Sequence, residues 1–153
     1  MPRHAETRVL PYTPEQLFAL VADVERYPEF LPWCVAARIR EREAGLIVAD
    51  LVIGYRMFRE RFTSRVSLDP PQRIDVAYAD GPFRYLSNRW NFAAEAGGCR
   101  VEFFVDFEFT SRLLQKVIQV FFTEAVHRMV SAFERRARTL YGAGPPRGSV
   151  EPA

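Results

Sequence analysis

The segment VEFFVDFEF, Val101 to Phe109, leads into SRLLQKVIQVFFTEAVHRMVSAFERRARTLYG, Ser111 to Gly142, and these two stretches decide the fold. In the first, every second residue is apolar, which predicts a strand with one face against the core. In the second, apolar residues recur at helical spacing over an arc of roughly 200°, wider than a surface helix requires. So broad an apolar face predicts a bent antiparallel sheet around the helix, with a packed core or a pocket between them.

Length and composition indicate one globular domain. The chain has 153 residues, of which 48% are apolar and 14% aromatic, including 13 phenylalanines. This composition excludes a disordered chain and suits a packed core or a hydrophobic cavity. The net charge of +2 is too small to indicate nucleic-acid binding by itself, and no DNA partner is expected. Cys34 and Cys99 stand far apart without a CxxC motif, so we expect reduced thiols.

The order of predicted elements gives the fold class. A strand over residues 3–10 is followed by a helix that begins with Thr13 as N-cap, Pro14 at the first position and Gln16 closing a capping box. This helix is expected to end by Tyr27, and a short turn follows over 28–31. Six strands with tight turns then run from residue 33 to 109, before the long helix over 111–141. The prediction is an α+β domain over 1–142, with a seven-stranded antiparallel sheet, two short helices after its first strand, and a disordered tail over 143–153.

Two polar residues lie among apolar ones on strand faces predicted to point inward. Glu60 is in phase with Phe58 and Phe62, and Asn88 is in phase with Trp90. Burying such groups costs free energy unless each finds a hydrogen-bond partner, so they imply an internal partner or a polar group of a ligand. A salt bridge to an arginine, or a strand end that reaches water, is the plainer alternative.

The inward faces and the helix together supply the candidate lining of a pocket. Its aromatic members with polar tips include Tyr27, Trp33 and Tyr55. The full set of candidates is Tyr27, Phe30, Trp33, Leu51, Ile53, Tyr55, Phe58, Glu60, Phe62, Asn88, Trp90, Phe103, Val105, Phe107, Ile118, Phe121, Phe122, Val126 and Met129.

The outward faces of two predicted strands carry rows of arginines. One row holds Arg38, Arg40 and Arg42, and the other holds Arg59, Arg61 and Arg65. The plainest interpretation is a solvated sheet face. If the rows converge on one patch, that patch could contact an anionic membrane surface or the phosphates of RNA.

Motifs of catalysis are missing from the sequence. It contains no GxSxG, HExxH, phosphate-binding glycine loop or dinucleotide fingerprint. Neither His4 nor His127 pairs visibly with a cysteine or a carboxylate. We therefore expect a protein that is not an enzyme and has no metal, catalytic residue or required cofactor. A cyclase or hydrolase that uses Glu60 as a base is a weaker alternative.

Five strings, in this order and spacing, resemble the coenzyme Q-binding family of START-like, helix-grip proteins. That family also includes the bacterial ribosome-association toxin and borders on polyketide cyclases. The strings are DVERYPEFLPWC (23–34), RERFTSRV (59–66), DGPFRYLSNRWNF (80–92), CRVEFFVDFEF (99–109) and MVSAFERRARTLYG (129–142).

The resemblance implies a function as well as a fold. It implies a cavity between the curved sheet and the last helix that holds a lipophilic molecule such as ubiquinone, for delivery to the respiratory chain without covalent chemistry. The alternative it implies is a ribosome-binding inhibitor of subunit association. The N-terminus shows neither a signal peptide nor a mitochondrial presequence, and no apolar run is long enough to span a membrane. We therefore expect a bacterial cytoplasmic protein, with peripheral contact to the inner membrane as a further expectation.

Overall fold

The computed structural model describes residues 3–55 and 58–142, without the side chains of Tyr55 and Phe58. It confirms the α+β class and the predicted order of elements. The strands are β1 (Arg3–Leu10), β2 (Cys34–Glu43), β3 (Leu46–Tyr55), β4 (Phe58–Asp69), β5 (Arg73–Asp80), β6 (Phe83–Glu95) and β7 (Gly98–Phe109). The helices are α1 (Pro14–Ala22), a 3₁₀ helix (Val24–Glu29) and α2 (Arg112–Tyr141). The predicted disordered tail, 143–153, lies outside the described residues.

The strands form one antiparallel sheet in the order β1-β7-β6-β5-β4-β3-β2. Each strand from β2 to β6 pairs with the strand that follows it in the chain, whereas β1 lies at the edge of the sheet beside β7. Gly98 makes this pairing possible, because its φ is 152° and a Cβ there would collide with the backbone of Leu10. The connection from β1 to β2 therefore crosses the sheet, and it carries α1 and the 3₁₀ helix with it.

The start of α1 matches the capping prediction. The side-chain oxygen of Thr13 accepts a hydrogen bond from the Gln16 amide at 3.0 Å, and the Gln16 side chain accepts one from the Thr13 amide at 3.0 Å. The helix ends at Ala22, before the predicted limit of Tyr27, because Asp23 leaves the helical region with ψ of 68°. The chain then winds into the 3₁₀ helix, which contains Pro28.

The helix α2 begins and ends where the sequence predicts. The Ser111 hydroxyl accepts a hydrogen bond from the Leu114 amide at 3.1 Å, and Gly142 ends the helix with a φ of 81°. Its C-terminal half is packed, with Val130, Phe133 and Ala137 all buried. Its N-terminal half stands over a hollow, so the two halves of one amphipathic face have different surroundings.

A cluster of aromatic rings fills the space under the C-terminal half of α2. The Phe133 ring lies 5.4 Å from Tyr27, 5.2 Å from Phe30 and 4.9 Å from Trp90, measured between ring centroids. All three contacts are close to edge-to-face, the favourable geometry for aromatic pairs. The Tyr27 hydroxyl donates to the Val21 carbonyl, and burial raises the pKa of this phenol. This end of the molecule is the solid core, in which a small void of about 30 Å³ remains beside Trp90 and Phe133.

Charged side chains connect the edge strand β1 to α2. Arg8 donates to Glu6 and, at 2.6 Å, to Glu134 of α2. His4, expected to stand alone, lies with its Nε2 2.8 Å from a Glu6 oxygen. Burial alone would raise the pKa of Glu6, but hydrogen bonds from His4 and Arg8 outweigh it and hold that pKa below its ordinary value.

Acid is expected to weaken this connection. Because the pKa of Glu6 is lowered on folding, its contribution to stability is present above the ordinary value of 4.5 and is lost as pH falls through the folded pKa. Glu6→Gln should therefore reduce the loss of stability below about pH 4.5, by up to about 1 kcal/mol. Urea unfolding at pH 7 and pH 4 measures this, with Glu102→Gln, at an exposed carboxylate of β7, as control. If Glu6→Gln and Glu102→Gln lose the same stability between pH 7 and pH 4, the prediction is wrong.

Candidate functional site

A cavity of about 750 Å³ lies between the N-terminal half of α2 and the inner face of the sheet. This volume is within the usual range of ligand pockets, roughly 300–1,000 Å³. Most of its wall is aliphatic or aromatic. The lining residues are Pro32, Trp33, Ile53, Gly54, Glu60, Phe62, Phe83, Leu86, Val105, Phe107, Phe109, Leu114, Val117, Ile118, Phe121, Phe122, Glu124, Ala125, Val126, Arg128 and Met129.

Strand alternation places most of the sheet side of this wall. On β7, Val105, Phe107 and Phe109 all point inward because their spacing is two. On β6 the pairing with β7 shifts between Phe83 and Tyr85, so Phe83 and Leu86 both face the cavity although they are three residues apart. Alternation without that irregularity would place Phe83 on the outer face.

Eleven of the predicted lining residues lie in the wall of this cavity. They are Trp33, Ile53, Glu60, Phe62, Val105, Phe107, Ile118, Phe121, Phe122, Val126 and Met129. That they contact a ligand stays a prediction. The side chains of Tyr55 and Phe58, also predicted, lie outside the described part of the chain.

Six predicted residues are placed elsewhere. Tyr27, Phe30, Trp90 and Phe103 belong to the solid core, because the 3₁₀ helix and the residue after it fill the space beside Phe133. Leu51 packs at the boundary between the two hydrophobic clusters of the interior. The sixth is Asn88.

Asn88 has internal partners. Its Nδ2 donates to the Phe104 carbonyl at 2.8 Å, and its Oδ1 accepts from the indole nitrogen of Trp90 at 3.2 Å. Both ends of the Asn88 amide therefore find hydrogen-bond partners inside the protein. This is the internal-partner alternative of the sequence analysis. Asn88 is part of the core rather than of the cavity wall.

Glu60 is different, because it lies in the cavity wall and is half-buried. Its neighbours in the wall, Ile53 and Phe62, are apolar. Within residues 3–55 and 58–142, no hydrogen bond or ion pair reaches its carboxylate. A carboxylate beside apolar side chains is costly unless water or a ligand supplies the missing hydrogen bonds. Glu60 is thus the polar group on the sheet side that a ligand could contact.

The cavity opens along the middle of α2. Pro32, Glu124 and Arg128 are exposed and yet line the cavity, so they mark its rim. The Glu124 and Arg128 side chains pair with each other at 2.9 Å. Trp33 bridges the opening, because its indole nitrogen donates to the Ala125 carbonyl at 3.4 Å.

The sequence prediction missed ten residues of the wall. On α2, Leu114, Val117 and Ala125 were signalled by the apolar arc of the helix but not chosen. Glu124 and Arg128 at the rim, and also Pro32 and Gly54, carried no such signal, because their place in the wall depends on how α2 crosses the sheet. The ten are Pro32, Gly54, Phe83, Leu86, Phe109, Leu114, Val117, Glu124, Ala125 and Arg128.

The predicted arginine rows converge only in part. Arg40 lies 3.6 Å from Asp50 on the outer face, but an irregularity between Ile39 and Glu41 turns Arg42 toward Glu25, at 3.5 Å. The second row, on β4, is exposed and lies two strands from Arg38. Within the described ranges, four exposed arginines of this face have no ion pair: Arg38, Arg59, Arg61 and Arg65.

Both cysteines are free thiols, as expected. Burial raises the pKa of Cys34 to about 11 and also raises that of Cys99. Within residues 3–55 and 58–142, no three histidine, cysteine, aspartate or glutamate side chains come together as a metal site. No helix in the described ranges is long and apolar enough to cross a membrane.

Comparison with known proteins agrees with this architecture. A family model described as "Polyketide cyclase / dehydrase and lipid transport" matches residues 10–134. The ribosome association toxin RatA of Rickettsia prowazekii is 40% identical over 138 residues, which cover 88% of this chain and 94% of that protein. The mitochondrial coenzyme Q-binding protein COQ10 homolog B of Xenopus laevis is 35% identical over 144 residues, which cover 91% of this chain and 59% of that protein.

A solved structure shows the same likeness. The 18 kDa protein CC1736 of Caulobacter crescentus is 40% identical, with a TM-score of 0.75 over 94% of this chain and 100% of that one. The suspected family resemblance and the helix-grip fold are thereby confirmed.

Proposed function

Because the chain belongs to the family of polyketide cyclases, dehydrases and lipid transport proteins, we propose that its cavity binds and carries a lipophilic molecule. The observation that carries the proposal is the apolar cavity of about 750 Å³ that is open along α2. We propose ubiquinone, or a similar isoprenoid lipid, as the ligand, since the COQ10 relative is a coenzyme Q-binding protein. The protein would act as a quinone carrier or chaperone in respiratory electron transport, without catalysis.

The energetics support an isoprenoid tail. Burying apolar surface is worth about 0.8 kcal/mol per methylene. Two or three isoprene units therefore supply enough free energy for micromolar affinity after the costs of ordering. The cavity is open at its rim, so the rest of a long tail can extend out of it.

Direct recovery of the ligand tests the proposal. The protein is purified from a quinone-producing host and extracted with organic solvent, and the extract is analysed for quinones and lipids. The stripped protein is then titrated with a short-tailed quinone. We expect co-purified quinone and saturable binding. If no lipid is recovered and no saturable binding occurs, the proposal is wrong.

Glu60 is expected to select the redox state of the head group. A carboxylate only accepts hydrogen bonds, a quinone offers only acceptors, and a quinol offers two O–H donors. Wild-type protein should therefore bind the quinol more tightly than the quinone. Glu60→Gln supplies an N–H donor and should reduce this preference about tenfold, the usual size of one hydrogen bond to a charged group.

Titrations under anaerobic conditions, with quinol and quinone of the same tail length, measure this preference. Glu124→Gln at the rim is the matched control and should leave the preference unchanged. If Glu60→Gln keeps the full preference for quinol over quinone, Glu60 does not contact the head group. If the wild-type protein converts the ligand and Glu60→Gln abolishes this turnover, the cyclase or hydrolase alternative is favoured instead.

A second candidate function rests on the outer sheet face. Arg38, Arg59, Arg61 and Arg65 are exposed without an ion pair in the described ranges, whereas Arg84 and Arg100 pair with Glu108 and Glu95 at 3.3 and 3.5 Å. Unpaired arginines suit phosphate contacts. With the RatA relatives, this favours a ribosome-binding inhibitor of subunit association as the alternative.

Sedimentation of ribosomes with and without the protein tests this alternative. If the alternative holds, the protein co-migrates with a ribosomal subunit and the subunits fail to associate. Arg61→Ser with Arg65→Ser should then weaken binding at least tenfold. It should also make the dependence of the binding constant on salt shallower, by the equivalent of about two phosphate contacts. The control is Arg84→Ser with Arg100→Ser, which removes two arginines that are already paired. Equal losses in both variants would deny a role to the β4 arginines.

A further inference from the structure

The N-terminal half of α2 carries a second apolar face, which points out of the molecule. Leu113 is 64% exposed, Val120 is 75% exposed and Phe121 is 36% exposed. Val117 lies between them at helical spacing, so the four side chains share one side of the helix. We name these four residues the outer stripe. Single exposed apolar residues are common on protein surfaces, but a contiguous stripe marks a site of interaction.

The outer stripe continues into the cavity. Val117 and Phe121 belong both to the stripe and to the cavity wall. A surface that covers the stripe therefore also covers the edge of the opening. A lipophilic molecule could then enter the cavity from that surface without crossing water.

The unpaired charges that α2 carries beside the stripe are positive. Residues 110–123 contain no aspartate or glutamate but include Arg112 and Lys116. Both are exposed, and in the described part of the chain neither has an ion pair. Glu124, the next acidic residue along the helix, is paired with Arg128. An exposed apolar stripe flanked by basic side chains is typical of helices that lie in the interface of an anionic bilayer.

We propose that the outer stripe docks this protein on an anionic lipid surface. Leu113, Val120 and Phe121 lie among the acyl chains, and Arg112 and Lys116 contact the phosphates of the head groups. A second copy of the chain is a poorer occupant, since a symmetric dimer through this stripe would bring like charges together. The arginines of β4 lie on the opposite face of the sheet from the cavity, so this surface differs from the one offered to RNA. The transfer role rests on the proposed function, whereas docking itself does not.

Flotation with vesicles tests the docking. Wild-type protein is mixed with vesicles of phosphatidylcholine alone and with vesicles containing one part in three of phosphatidylglycerol. We expect binding to the anionic vesicles that weakens with salt. Val120→Asp should weaken binding at least tenfold, and Lys116→Gln should weaken it about fivefold, the value of one basic residue near such a surface.

The same helix offers matched controls away from the stripe. Leu140 is 49% exposed near its C-terminus, and Arg135 is an exposed arginine there. Leu140→Asp and Arg135→Gln should bind vesicles as the wild type does. Absence of wild-type binding, or equal losses for Leu140→Asp and Val120→Asp, would overturn the proposal. So would a dimer in analytical ultracentrifugation that Val120→Asp dissociates.

Binding of a short-tailed quinone in vesicle-free buffer separates this proposal from the proposed function. Val120→Asp should retain that binding, which also shows that the variant is folded. Wild-type protein that floats with vesicles but binds no quinone would overturn the proposed function and leave the docking intact. Quinone binding without flotation would overturn the docking alone.

Discussion

Leu86→Trp combined with Ile118→Trp is expected to lower the affinity for a long-tailed quinone about a hundredfold or more. Both side chains line the cavity, Leu86 from β6 and Ile118 from α2. Two indole rings would take the space of about one isoprene unit, and at about 0.8 kcal/mol per buried methylene this is about 3–4 kcal/mol. Stability should change little, because the added groups occupy space that is already empty.

Titration with the quinone and a thermal melt of each protein check this expectation. Leu140→Trp is the control, since it adds an indole to the exposed end of the same helix. It should leave the affinity unchanged. An undiminished affinity in the double variant would place the ligand outside the cavity.

Phe133→Ala should have the largest effect on stability. The Phe133 ring touches Tyr27, Phe30 and Trp90 and joins α2 to the 3₁₀ helix and to β6. Truncating a buried phenylalanine costs about 3–5 kcal/mol, a large share of the roughly 5–15 kcal/mol that stabilises a domain. The variant should therefore unfold at much lower urea concentration.

Ile118→Ala provides the comparison from the other half of α2. Ile118 borders the cavity, so part of its surroundings is empty and its truncation should cost less than about 2 kcal/mol. Urea unfolding followed by far-UV circular dichroism gives both values. Similar costs for the two variants would mean that both halves of α2 are equally packed, contrary to the structure.

Most of the errors in the sequence prediction of the site have one physical origin. The periods of a strand and of a helix are local, so they give the face of Phe107 or Ile118 correctly. They fail where the pairing shifts, as at Phe83, and where an extra residue turns Arg42 away from its row. They also cannot tell whether an inward residue meets another side chain. Asn88 and Glu60 had the same pattern, but only Asn88 has the Phe104 carbonyl and the Trp90 indole beside it.

The sequence by itself determined that an aromatic strand and a broad amphipathic helix must face each other within one α+β domain. It determined this because the period of two in Val101–Phe109 and the helical period in 111–141 depend only on neighbouring residues. Only the tertiary structure decided that the gap between them is both a core and a pocket. The 3₁₀ helix and Phe30 fill the space under Phe133, whereas no comparable element of the described chain fills the space under Ile118 and Phe122. That division depends on where the connection from β1 to β2 lies on the sheet. Contacts between residues that are far apart in the sequence determine this position.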